Sequence, residues 1–241
     1  MPGLLDYLIG IVSFLLEISV VVCAFCSKPR FRYALPGLYM LCTATVQVGV
    51  WACLEKYGVT SQEYWYVYYY TESLQMLAMF LVIIQLYEWI FLEMSIGRYI
   101  RVAASVLLGV TGIFSFLVIN HNRDQLTVKS IQFVVEFDQN IYFVGVVLTY
   151  LLWGAMLKLR ETRTRIVQLV LALGIYFSVL AGAYALRNLF PSLEDPFLQW
   201  VPPLISTWLP LAWAYTLVKV PEEARQEPKQ LLTPALAGKT S

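Results

Sequence analysis

Five acidic side chains stand inside long apolar stretches of this 241-residue chain: Glu17, Glu72, Glu88, Glu136 and Asp138. An ionised carboxylate in hydrocarbon costs several kcal/mol unless a cation, a ligand or a proton neutralises it. Acids so placed can carry protons, hold a ligand, or tie helices together. Asp6, Gly10, Ser13 and Glu17 recur at i, i+4, i+7 and i+11, which puts them on one small, polar helical face directed into a bundle. Glu17 is the deepest acid by position and is the candidate proton-titrating group. The plainer reading is a neutral carboxyl hydrogen-bonded to a neighbouring helix.

The third apolar stretch opens Tyr64-Trp65-Tyr66-Val67-Tyr68-Tyr69-Tyr70-Thr71-Glu72. Amphipathic rings gather at headgroup depth, so this run reads as an interfacial belt, and it could equally wall a pocket. Glu72, Gln75 and Met79 share a helical face. Glu88 lies about 24 Å further along and about 160° round, so the two acids do not form one site. In the fifth stretch Gln132, Glu136, Gln139 and Asn140 share a face, while Asp138 points elsewhere. Arg187, one turn after Tyr184 at the end of the sixth stretch, is the expected counter-ion. Together Glu72, Gln75, Gln132, Glu136, Gln139 and Arg187 make a candidate ligand-binding cavity. The alternative is a hydrogen-bonded packing network.

Other motifs are weaker. Cys23-Ala24-Phe25-Cys26 has redox or metal spacing, but His121 is the sole histidine and sits toward the opposite surface. These cysteines read as small apolar helix residues, and with only Cys53 near the outer surface no external disulfide is expected. Pro202, Pro203 and Pro210 bend or break the last stretch, which could line a site. Gly174, Ser178 and Gly182, and likewise Ser105, Gly109 and Gly112, form small-residue stripes suited to close helix packing.

The elements that must position these groups are membrane spans. The chain is 59% hydrophobic and only 14% charged, with a mean hydropathy of +0.65. A soluble domain carries about a quarter charged residues. Seven apolar runs are expected as helices over roughly 4–26, 36–55, 66–91, 101–120, 131–157, 165–188 and 197–218, each long enough for a hydrocarbon core of about 30 Å. They are too long, and too apolar all round, for the alternating strands of a barrel. The opening Met1-Pro2-Gly3-Leu4-Leu5-Asp6 lacks the basic region of a signal peptide, so the first run is read as a retained helix. The expected architecture is therefore an all-α integral membrane domain over 1–219, with residues 220–241 a polar, disordered tail.

Orientation follows from basic residues in the connections. Lys28, Arg30, Arg32, Arg98, Arg101, Lys158, Arg160, Arg163, Arg165, Lys219, Arg225, Lys229 and Lys239 fall on one side. Lys56, Arg123, Lys129 and Arg187 fall on the other. Thirteen against four predicts the amino terminus outside and the carboxyl terminus in the cytoplasm.

Seven spans in that orientation match rhodopsins and G-protein-coupled receptors in topology alone. The last span has no mid-membrane lysine for retinal, since Lys219 is at its end. The receptors' acid-Arg-Tyr triplet is missing from Tyr87-Glu88-Trp89. One histidine leaves no haem or histidine-metal set. No Ser/His/Asp set, phosphate loop or paired-aspartate motif is present, so neither an enzyme nor a bound cofactor is expected.

Tyr64–Tyr70 with Glu72, Tyr87-Glu88, Glu136 with Gly145, Ala183-Tyr184-Ala185-Leu186-Arg187 and Leu211-Ala212-Trp213-Ala214-Tyr215 together resemble a family of uncharacterised bacterial (acidobacterial-type) seven-transmembrane-helix proteins. The resemblance extends over most of the spanning region. Where that family often has arginines after the fifth-span Glu, this chain has Phe137 and Asn140. The resemblance implies a seven-helix fold in a bacterial inner membrane and no particular activity.

The expected role is a non-enzymatic ligand-binding, sensory or accessory subunit. Two alternatives stand beside it: a small proton-coupled transporter using Glu17 and Glu136, and a structural or assembly subunit of a membrane complex. The expected partners are the lipid bilayer and a second membrane protein or another copy of the chain. No basic, aromatic-interleaved patch suggests nucleic acid.

Overall fold

The structure, a computed structural model, describes residues 4–26, 33–91, 97–121, 126–159, 163–189 and 196–220. These form seven helices: α1 (Leu4–Cys26), α2 (Ala34–Tyr57), α3 (Gln62–Ile90), α4 (Gly97–His121), α5 (Leu126–Lys158), α6 (Thr164–Leu189) and α7 (Pro196–Lys219). All seven are long and apolar enough to cross a membrane, and no strand occurs among the described residues. The tail beyond Val220 lies outside the described residues.

Helix ends depart from the hydropathy boundaries where local polar chemistry takes over. α3 starts at Gln62, a turn earlier than expected, because Ser61 caps it: the Tyr64 backbone N–H donates to Ser61 Oγ at 3.2 Å. α5 starts at Leu126, five residues before the expected 131. Gly58 ends α2 with φ +78°, a left-handed conformation suited to glycine, and its N–H returns to the Leu54 carbonyl at 2.9 Å. Pro36 sits in the first turn of α2, where no intrahelical N–H is needed.

Six helices close a ring in the order α1, α2, α3, α5, α6, α7 and back to α1. α4 stands outside it, packed only on α3 and α5 among the principal contacts. Close approaches occur where side chains vanish. A Cβ on Gly145 of α5 would lie 2.4 Å from the Phe177 ring of α6, and one on Gly10 of α1 would lie 2.5 Å from the Trp51 ring of α2. The small-residue stripes are only partly used. Gly174 faces Thr149 and Gly112 faces Phe137, but Gly109 and Gly182 look onto open space.

The two ends of the bundle differ. At the end where α1, α3 and α7 finish, the interior is filled by Ile83, Leu86, Ile90, Leu152, Ile166, Leu169, Trp213 and Leu217. Basic side chains bond helix ends here. Arg163 donates to the Trp89 carbonyl at 3.0 Å, and Arg165 donates to the Val220 carbonyl at 2.6 and 3.0 Å. Cations there satisfy the last carbonyls of α3 and α7 and complement their dipoles. Arg101 of α4 pairs with Glu88 of α3. The outer surface is apolar all round: Leu15, Phe116, Leu157 and Val218 are among many large apolar residues more than half exposed.

Candidate functional site

Between the six ring helices lies a cavity of about 450 Å³. Its walls come from Ser13 and Glu17 of α1, Tyr39 to Trp51 of α2, Tyr68 to Met76 of α3, Tyr142 of α5, Tyr176 to Arg187 of α6 and Pro202 to Pro210 of α7. By position along their helices, Glu17, Tyr176 and Leu209 lie toward mid-bundle. Trp51, Tyr68, Arg187 and Pro202 lie toward the end where α1 begins.

Glu72 is the polar junction of the site. Its Oε1 accepts from the Tyr142 hydroxyl at 3.4 Å and from the Tyr184 hydroxyl at 3.5 Å. These two rings stack on each other, with centroids 5.2 Å apart and planes at 22°. The bonds join α3, α5 and α6 through one carboxyl oxygen. Tyr39 of α2 and Tyr176 of α6 border the same space as Tyr142 and Tyr184.

Glu17 is 7% exposed and faces the same cavity. Ser13, one turn earlier, donates to its Oε1 at 3.4 Å, while Oε2 has no partner. Gln47 of α2 donates through Nε2 to the Gly10 carbonyl at 3.2 Å, and its Oε1 is likewise buried without a partner. Because a carbonyl can only accept, that bond sets which way the Gln47 amide points. Two acceptor oxygens without donors thus belong to side chains that line one cavity.

The six residues expected to form the pocket divide. Glu72, Gln75 and Arg187 line it; Glu136 and Gln139 do not. Gln132 falls on α5, but its side chain, like that of Asp6, lies outside the described residues. The inward stripe of α5 is Val134, Asp138, Ile141, Tyr142, Gly145, Thr149, Leu152 and Met156, all buried at helical spacing. Glu136 and Gln139 occupy another flank and are half-buried. Asp138, set aside in the sequence reading, accepts from Ser73 of α3 at 2.8 Å and is 2% exposed. Asn140 turns outward to α4, donating to Ser115 Oγ at 2.9 Å.

Arg187 is exposed at the rim. Neither it nor Glu17, Glu72 or Glu136 takes part in an ion pair among the described residues, where the salt bridge is Arg101 with Glu88. Glu17, expected to stand apart from the polar cluster, shares the cavity with Glu72. Within the aromatic run, only Tyr68 reaches the cavity. Its neighbours stack along the helix surface, Trp65 on Tyr69 at 5.7 Å and Tyr66 on Tyr70 at 6.1 Å.

Tyr39, Gln47, Tyr142 and Tyr176 were not singled out from the sequence. The available signal was a tyrosine or glutamine well inside a span, where its polar end needs a partner in the protein. No group of three or more His, Cys, Asp or Glu side chains that could hold a metal occurs among the described residues. Comparison of the chain with known protein families, with curated proteins and with solved structures gives no match.

Proposed function

We propose that this chain is a multi-pass protein of a bacterial cell (inner) membrane that binds a small ligand in its six-helix cavity. In this reading it is a non-enzymatic sensory or accessory subunit. The observation that carries the reading is the cavity itself. About 450 Å³ is within the range of small-molecule sites, and it combines apolar and aromatic walls with a few convergent polar groups. A bundle with no such role would gain stability by filling that space.

The setting draws on the exposed apolar belt, which suits hydrocarbon and would drive aggregation in water. Orientation rests on the thirteen-to-four division of basic residues, which puts Trp51, Tyr68 and Arg187 toward the outer side and Arg163 and Arg165 toward the cytoplasm. The resemblance to acidobacterial-type seven-span proteins adds the bacterial inner membrane. The test is thermal unfolding of the chain in lipid nanodiscs against a panel of small amphiphiles. Binding in the cavity is expected to raise the midpoint in the wild type and not in Ala183→Trp, which fills the wall. Stabilisation that survives Ala183→Trp would sink this reading.

A second reading, a small proton-coupled carrier, has one observation in its favour: Glu17 and Glu72 line the same space. Glu136, the partner first expected for Glu17, is not in that lining. A carrier predicts pH-dependent substrate flux in proteoliposomes that disappears in Glu17→Gln. Flux unaffected by that substitution would dismiss it.

A further inference from the structure

Resting on the reading of the cavity as a ligand site, we propose that its ligand is an organic cation carrying N–H donors, such as a primary ammonium on an apolar or aromatic body. Three features of the lining point the same way. First, it is acid-rich. Glu17 and Glu72 both face the space, and the one basic lining residue, Arg187, stands at the rim in no ion pair among the described residues. A carboxylate withdrawn from water needs a neutralising partner, and a bound cation supplies it.

Second, the polar groups that lack partners are acceptors. Glu17 Oε2 and Gln47 Oε1 are buried without donors, and Glu17 is more than nine-tenths buried. Both oxygens are closed to a water-sized probe, so a ligand meets them only where the side chains around it shift; an ammonium then brings up to three donors, whereas an anion or an aprotic ligand brings none. On α7, Pro210 has no N–H for the Ser206 carbonyl one turn back, and both residues line the cavity. That adds another backbone acceptor without its usual donor. Third, the walls are aromatic. Tyr39, Tyr142, Tyr176 and Trp51 border the space; aromatic rings attract a cation through their faces and cover its apolar part.

The experiment uses the full chain in nanodiscs, with Cys23, Cys26, Cys42 and Cys53 changed to Ser and Ser206→Cys as a reporter in the wall. The labelling rate of this thiol by uncharged methyl methanethiosulfonate is measured alone and with 2-phenylethylammonium, 3-phenylpropionate or 2-phenylethanol. The expected result is a reactive thiol whose labelling slows at least tenfold with the ammonium and not with the acid or the alcohol. Glu17→Gln and Glu72→Gln are each expected to raise the protecting concentration at least tenfold. Ala183→Cys serves as reporter if Ser206→Cys does not fold.

A thiol that is unreactive at both positions would overturn the cavity reading, and this proposal with it. A reactive thiol that the acid or alcohol protects as well as the ammonium, or that nothing protects, would overturn the cation class and leave the cavity standing. Protection that is unchanged in both Gln variants would overturn the assignment to the two carboxylates.

Discussion

Tyr184 of α6 donates its hydroxyl to Glu72 of α3 at 3.5 Å, linking two helices that are not neighbours in the ring. α5 stands between them, and its Tyr142 donates to the same oxygen at 3.4 Å. One carboxyl oxygen therefore meets hydroxyls from two further walls. Glu72→Ala leaves two hydroxyls without their acceptor and is expected to cost about 1–3 kcal/mol. Glu72→Gln keeps a carbonyl oxygen in place and is expected to cost clearly less. Thermal unfolding in nanodiscs separates the two; equal losses would mean that the tyrosines do not depend on this acceptor.

Ser73 and Asp138 form a similar bond between α3 and α5, with Asp138 Oδ2 left unpartnered. Ser73→Ala strips the remaining donor from a buried carboxyl, at an expected cost of about 1–3 kcal/mol. Replacing both partners by apolar groups removes the polar burden altogether. Ser73→Ala with Asp138→Leu is expected to be more stable than Ser73→Ala alone. A double variant less stable than either single one would refute this account of the pair.

Gly145 lets α5 and α6 meet over the Phe177 ring, which is 1% exposed. Gly145→Ala forces that ring aside and is expected to destabilise by about 1–3 kcal/mol. Gly182→Ala, facing open space, is expected to be near neutral or slightly stabilising through helix propensity. The comparison controls for the chemistry of the substitution, and similar unfolding midpoints for the two variants would count against the close approach.

Arg165 holds the end of α7 through the Val220 and Leu217 carbonyls and lies over the Tyr33 ring at 5.4 Å. Arg165→Ala is expected to fray that end. Hydrogen exchange should rise selectively at 214–220, and Arg165→Lys should rescue only part of the protection, because one ammonium cannot reproduce the fork. Uniform exchange across the bundle would point to global loosening instead.

Orientation can be read by thiol labelling of intact cells in the cysteine-replaced background. Thr60→Cys, in the turn between α2 and α3, is expected to react with a membrane-impermeant maleimide. Lys158→Cys, at the end of α5, should react only after the cells are opened. The reverse pattern would invert the bundle and turn Trp51, Tyr68 and Arg187 toward the cytoplasm.

Much of the fold was legible because the requirements of a bilayer write directly into composition. Seven apolar runs of about twenty residues declare themselves without tertiary information. The site was legible by residue type more than by grouping. Glu72, Gln75 and Arg187 were chosen as intramembrane polar groups and share one cavity. Glu136 and Gln139 were chosen on the same grounds, yet α5 carries acids on two flanks and periodicity cannot rank them. Only Ser73 across the interface, and the room made for Phe177 at Gly145, show which flank turns inward. Glu17 was assigned to a separate site because depth along a span was legible and ring closure was not. The order α1, α2, α3, α5, α6, α7, which brings α1 round beside α7 and its acid onto the cavity of Glu72, is a long-range property that no local window contains.

The three prolines of α7 have a mechanical consequence. A helix resists bending through its ladder of hydrogen bonds, and α7 lacks a rung at Pro202, Pro203 and Pro210, all of which border the cavity. The other five staves of the ring have no proline along the stretches that border the cavity. When the enclosed volume has to grow or shrink, flexing α7 is the least costly deformation, while the seams between the stiffer staves stay shut. The compliance of this bundle is thus concentrated in one stave, the last.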